Sequence, residues 1–136
     1  MSVVLDSSVV LALYDAGEPD HDSVRTWMGT LDDDLVTTPL TLTELDCVLA
    51  ARGGEAARHA LWSELEAGVY SVRWWADGLS ETLALARRYP FAGLVDASLV
   101  ALSHRLRTNR IATLDHHFRS MTAPGGEDFI VLPADA

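Results

Sequence analysis

The chain has 136 residues, 10 basic against 20 acidic, with 49% hydrophobic and 22% charged residues and a formal net charge of −10. Length and usage describe one domain spanning residues 1–136 and exclude a disordered or fibrous protein. All ten basic residues are arginine, so every mechanism that needs a lysine is excluded, and the lone Cys47 excludes both an intrachain disulfide and a cysteine zinc cage. Apolar runs such as residues 9–13 are too short to span a bilayer. The first residues meet Asp6 without a positive n-region, against a signal peptide. The expectation is a cytoplasmic protein with no membrane segment.

In chain order, residues 2–5 form a short β-branched run ending at Asp6, the pattern of a buried parallel strand. Residues 8–16 predict a helix with Val9, Val10, Leu13 and Ala16 on one side and Gly17 as its stop. A weaker helix follows over 18–30, then a second strand at 35–37 after the Asp32-Asp33-Asp34 loop. Thr38-Pro39 is a capping hydroxyl followed by proline at the first helical position, opening a helix to Arg52 that Gly53-Gly54 stops. Residues 55–67 predict a helix, 69–72 a strand and 77–89 a helix closed by Pro90. Residues 94–107 are apolar enough for a buried helix; strands at 110–114 and 129–132 complete the chain. Short apolar strands alternating with helices predict an α/β fold with a parallel, five-stranded sheet covered on both faces. Ligands in such sheets bind beyond the carboxyl ends of the strands, where strand order reverses.

Charge is unevenly spread. Residues 87–119 hold six arginines (87, 88, 105, 107, 110 and 119) against Asp96 and Asp115, whereas the rest of the chain holds four arginines against eighteen acids. Such a segment can steady a phosphate backbone, and Arg105, Arg107, Arg110 and Arg119 are its candidate RNA contacts. Composition alone favours the plainer reading, a set of solvated helix faces.

Four acids stand out by context. Asp6 and Asp115 follow strands, Glu44 lies in the second turn of the Pro39 helix among Leu40, Thr41, Cys47 and Val48, and Asp96 opens the most apolar helix. Carboxylates in apolar settings are costly unless paired or bound to a cation. No lysine exists, and no arginine is spaced periodically beside any of the four. Oxygen ligands favour Mg²⁺ or Mn²⁺ over zinc, and such a pocket at a sheet's carboxyl edge suggests metal-assisted displacement at phosphorus. Each acid also has a bland reading: Asp6, Asp96 and Asp115 as helix or turn caps, and Glu44 as no different from Asp46, whose neighbours Leu42, Leu49 and Ala50 are equally apolar.

The runs Val4-Leu5-Asp6-Ser7-Ser8-Val9-Val10, Thr43-Glu44-Leu45, Leu94-Val95-Asp96-Ala97 and Ile111-Ala112-Thr113-Leu114-Asp115-His116-His117-Phe118 together resemble the PIN-domain ribonucleases, in particular the VapC-type toxins of toxin–antitoxin pairs. Their order and spacing match that family over nearly the whole chain. The resemblance implies a three-layer α/β/α PIN-like fold and a Mg²⁺- or Mn²⁺-dependent endoribonuclease acting on RNA. It further implies a cognate antitoxin and a homodimer. It places Asp6, Glu44, Asp96 and Asp115 in the acidic quartet and Ser8 and Thr113 among its small polar residues. Asp6, Asp96 and Asp115 would hold the principal ion, Glu44 would serve a second ion or a water, and Ser8 and Thr113 would fix carboxylate rotamers. His116 and His117 read as incidental beside a hard ion. The four tryptophans (27, 62, 74 and 75) read chiefly as core packing, with the helix carrying Leu61, Trp62 and Leu65 as a possible partner surface.

Rival enzymes fail on residues. A haloacid-dehalogenase phosphohydrolase needs a second Asp two residues after the first and a lysine, but Asp6 is followed by Ser7-Ser8; a response-regulator receiver also needs a lysine. No Gly-Lys phosphate loop or Gly-x-Gly-x-x-Gly is present. The surviving alternative is a PIN-like module that binds metal, RNA or a partner without cutting.

Overall fold

The computed structural model describes all 136 residues. Strands β1 (Ser2–Leu5), β2 (Asp34–Thr37), β3 (Tyr70–Val72), β4 (Arg110–Ala112) and β5 (Ile130–Leu132) form one sheet in the order β3-β2-β1-β4-β5. Every pairing is parallel. Helices α1 (Ser7–Tyr14), α2 (His21–Met28), α3 (Pro39–Arg52), α4 (Gly54–Glu66), α5 (Gly78–Arg88) and α6 (Gly93–Leu106) connect them, with 3-10 turns at His116–Ser120 and Pro124–Gly126. None of the helices is long and apolar enough to cross a membrane.

Strand alternation builds the three layers. Successive strand side chains point to opposite faces, so Val3 and Leu5 of β1 join one buried cluster with Val9, Val10, Val24, Leu45, Leu49 and Leu61 of α1 to α4. Val4 of β1 joins the other, with Leu99, Val100 and Leu102 of α6 and Phe118. β4 and β5 split the same way, Ile111 and Val131 to the second cluster, Ala112 and Leu132 to the first. Helix α6 is buried continuously from Ala97 to Ser103. Its small Ala97, Ser98, Ala101 and Ser103 allow a helix enclosed on all sides, since a helix apolar all round belongs in a core.

Several expected boundaries shift. The helix expected over 18–30 begins at His21, and Asp34, expected in a loop, opens β2. The strand expected over 110–114 ends at Ala112: Thr113 still donates its N–H to Leu132 O at 2.9 Å, but the chain then turns so that Asp115 caps the 3-10 helix rather than ending a strand. Two of the tryptophans pack as expected, Trp27 against the first core cluster and Trp75 against the second, and two do not. Trp62 and Trp74 are each 40% exposed, and Trp62 donates its indole N–H to Asp46 at 2.7 Å.

Two features aim the chain at one sheet edge. Strand order reverses between β1 and β4, so the loops after them part and leave a crevice there. Gly93 takes φ +77°, a backbone conformation that L side chains rarely adopt, and this lets α6 start at the crevice lip. Leu99 of α6 is fully buried in the second cluster. Leu99→Ala is expected to lower the unfolding free energy in urea by about 2–5 kcal/mol; a loss below about 1 kcal/mol would show that α6 is not a packing centre.

Candidate active site

The crevice between the ends of β1 and β4 is a cavity of about 420 Å³ lined by Asp6, Glu44, Asp96 and Asp115 together with Ser7, Ser8 and the 92–95 turn. All four acids expected from the sequence therefore meet, although they stand up to 109 positions apart in the chain.

Asp6 is the innermost, 5% exposed. It follows β1, whose ladder continues through its own N–H to Ala112 O at 2.9 Å, and it caps α1 by accepting from Ser7 N at 2.8 Å. Its other carboxylate oxygen accepts from Ser8 Oγ at 2.8 Å and Thr113 Oγ1 at 2.7 Å. Each hydroxyl is oriented in turn: Ser8 Oγ accepts from Leu114 N, and Thr113 Oγ1 from Asp115 N, both at 3.0 Å. Capping and site chemistry are thus one arrangement, in which the hydroxyls of β1's loop and β4's loop fix the Asp6 carboxylate between them. Burial nevertheless raises the Asp6 pKa, outweighing the three hydrogen bonds that lower it; the Glu44 charge adds to the rise.

Asp96 lies in the first turn of α6. Burial first, then the charge of Asp6, pushes its pKa up to about 6, against the opposing pull of His117. Glu44 is on the exposed side of α3 and accepts from Ser7 Oγ at 2.7 Å, which turns it toward the cavity. Asp46, indistinguishable from Glu44 by pattern, is absent from the cavity lining. It is paired with Arg58 and Trp62 of α4, and hydrogen bonds from both lower its pKa.

His117, read from the sequence as incidental, is in the site. Its Nε2 lies 2.6 Å from Asp96 Oδ2 and its Nδ1 2.7 Å from Asp115 Oδ1. One ligand atom from each of Asp96, Asp115 and His117 lies within 4.8 Å of the others, a donor set that could hold a metal ion. The 3-10 turn after Asp115 creates this contact by bringing His117 back over the carboxylate that caps it. Ser7 was likewise missed; its signal was adjacency to Asp6 alone.

The basic residues expected beside the site go elsewhere. α6 runs from the cavity toward the opposite sheet edge, so Arg105 lies nine residues, about 14 Å, down the helix from Asp96, with Arg107 beyond it. Arg110 starts β4 at that far edge and pairs with Asp33, just before β2. Arg119 is held by Asp135 in a two-pronged pair at 2.8 and 2.9 Å. No arginine forms an ion pair with any of the four acids.

The donor set fits a divalent cation. A nearly buried carboxylate with no cationic partner, two more within a few ångströms of one imidazole, and oxygen as the dominant ligand suit Mg²⁺ or Mn²⁺. Comparison with known proteins gives the family. A family model described as PIN domain matches residues 3–124. Ribonuclease VapC26 of Mycobacterium tuberculosis is 35% identical over 135 residues, covering 96% of this chain and all of that protein. Two solved structures share the fold. The Mycobacterium tuberculosis toxin VapC20 has a TM-score of 0.81 at 20% identity, over 89% of this chain and 95% of that one. VapBC2 of Rickettsia felis, bound to a promoter DNA fragment, has a TM-score of 0.69 at 12% identity, over 96% and 97%.

The raised Asp96 pKa has a defined consequence for the metal-free fold. Stability contributed by its proton is complete below the ordinary value of 3.8 and is lost as pH rises through about 6. In EDTA, the melting temperature of Asp96→Asn minus that of the wild type is expected to grow between about pH 4 and pH 6.5 and to level off above it. A gap that does not change with pH would show that Asp96 carries no such strain.

Proposed function

The chain belongs to the PIN-domain family, and from that premise we propose that it is a Mg²⁺- or Mn²⁺-dependent endoribonuclease, the toxin of a VapBC-type toxin–antitoxin pair. The observation that carries this reading is the convergence of Asp6, Glu44, Asp96 and Asp115 on one cavity without an arginine among them. A module that binds only RNA or a protein gains nothing from such a cluster, whereas metal-assisted hydrolysis of a phosphodiester uses it.

Asp6, Asp96 and Asp115 are the residues that would hold the principal ion, with His117 on the free side of the last two. A dication bound there lowers the pKa of a coordinated water and screens charge on the phosphoryl oxygens. Ser8 and Thr113 keep the Asp6 carboxylate in one rotamer, so the pocket is shaped before any ligand enters. Glu44, held by Ser7 on the opposite wall, is placed to orient the attacking water or to share a second ion. The acidic surface that remains, net −10 over the chain, suits a basic antitoxin segment. We assign the homodimer expected for this family to the same reading.

Cleavage of a mixed single-stranded RNA pool tests the proposal. Wild type with Mn²⁺ is expected to cut, EDTA to abolish cutting, and Asp96→Asn to reduce it by more than about a hundredfold. Equal cutting by wild type and Asp96→Asn would assign the activity to another site, and cutting by neither folded protein would favour a non-cutting module. Ser8→Ala and Thr113→Ala are each expected to lose roughly 10–100-fold in activity or metal affinity, with folding retained; unchanged rates in both would remove their orienting role.

A further inference from the structure

Four arginines, Arg52, Arg58, Arg110 and Arg119, are engaged in ion pairs with acids. Arg87 and Arg88 are among the six arginines that are not, although the chain carries twice as many acids as arginines. Both are exposed in the last turn of α5, which is joined to the cavity lip at the start of α6 by Tyr89-Pro90-Phe91-Ala92.

A row of rings leads from them into the site. The Arg88 guanidinium carbon lies 5.1 Å from the centroid of Tyr89. Tyr89 is buried and anchored, its hydroxyl accepting from Thr122 N at 3.2 Å, and its ring meets Phe91 edge-on at 6.0 Å. Phe91 meets His117 edge-on at 6.1 Å, and His117 touches both Asp96 and Asp115. Phe91 itself is 59% exposed.

We propose that Arg88, Tyr89 and Phe91, with Arg87 beside them, form the entry platform for single-stranded RNA, a base stacking on Phe91 and a backbone phosphate held by the arginines. The proposal rests on the endoribonuclease reading and names the substrate's form. An acidic pocket repels a polyanion, so cations outside the pocket must hold it; Arg88 is connected to the cavity by ring contacts and Arg87 is its neighbour in the same exposed helix end. Aromatic faces interleaved with guanidinium suit unstacked bases and tolerate any sequence. A duplex keeps its bases stacked and offers none to Phe91.

The test is fluorescence anisotropy with a labelled single-stranded RNA of about 12 nucleotides, at low salt with Mg²⁺, in an Asp115→Asn background that arrests hydrolysis. Phe91→Ala is expected to weaken binding by roughly tenfold or more, and Phe91→Trp to restore it. Arg87→Ala/Arg88→Ala is expected to lower the salt dependence of the affinity by about one to two phosphate contacts, and a duplex of the same sequence to compete poorly. Unchanged affinity in Phe91→Ala would overturn the platform. So would absence of RNA binding in the parent, or a loss in Phe91→Ala that tracks a change in oligomeric state on size exclusion, which would make this rim a contact between copies. Binding that depends on Phe91 in a protein that never cuts RNA would sink the endoribonuclease reading and leave the platform standing. Cleavage with affinity indifferent to Phe91 would do the reverse.

Discussion

The organising constraint of this molecule is the cost of taking carboxylates out of water, to which their mutual repulsion adds. Asp6 is nearly buried with no positive side chain against it, and Asp96 feels both the loss of solvent and the charge of Asp6. A buried, unpaired charge is among the costliest features a core can hold. Hydrogen bonds from Ser7, Ser8 and Thr113 offset part of that cost for Asp6, and His117 opposes it for Asp96. The remainder is the electrostatic work that a dication would relieve, so the strain in the empty fold and affinity for the ion are two views of one term.

The rest of the architecture serves that notch. Parallel strands end at one edge, and the reversal of order between β1 and β4 opens the crevice there without a dedicated loop. The same side chains close the helix ends: Asp6 caps α1, Asp115 caps the 3-10 turn, and Asp96 favours the positive end of α6. Each local job fixes a carboxylate's direction, which is why residues so ordinary one at a time make a specific site together. Beneath them lies a buried hydroxyl contact, Thr38 Oγ1 to Ser98 Oγ at 2.8 Å, which ties the start of α3 to α6. It couples the element bearing Glu44 to the one bearing Asp96.

Much of this was legible in the amino-acid order. Short apolar runs broken by helices define the parallel sheet, and Asp6 directly after β1 marks its working edge; Asp115, expected at a strand end, reaches the same crevice from the turn beyond β4. Thr38-Pro39 and Gly53-Gly54 bound α3 as expected. Choosing Glu44 over Asp46 could not be done by pattern, because the partners that retire Asp46, Arg58 and Trp62, lie 12 and 16 residues away on another helix. His117 was hidden because a 3-10 turn, not a helix or strand period, aims it. The arginine-rich segment did not disclose direction: α6 carries Arg105 and Arg107 away from Asp96 to the far edge, where Arg110 also starts its strand. Arg88, at the end of α5, is linked toward the notch by the rings of Tyr89 and Phe91, and composition cannot tell one end of a helix from the other.

Calorimetric titration of Mn²⁺ into the metal-free protein tests the electrostatic core of this picture most directly. One ion should bind each chain with measurable heat, and a folded Asp6→Asn protein should take up none under the same conditions. Absence of binding to the wild type, or equal affinity in Asp6→Asn, would show that the buried carboxylates are held for a reason other than a cation.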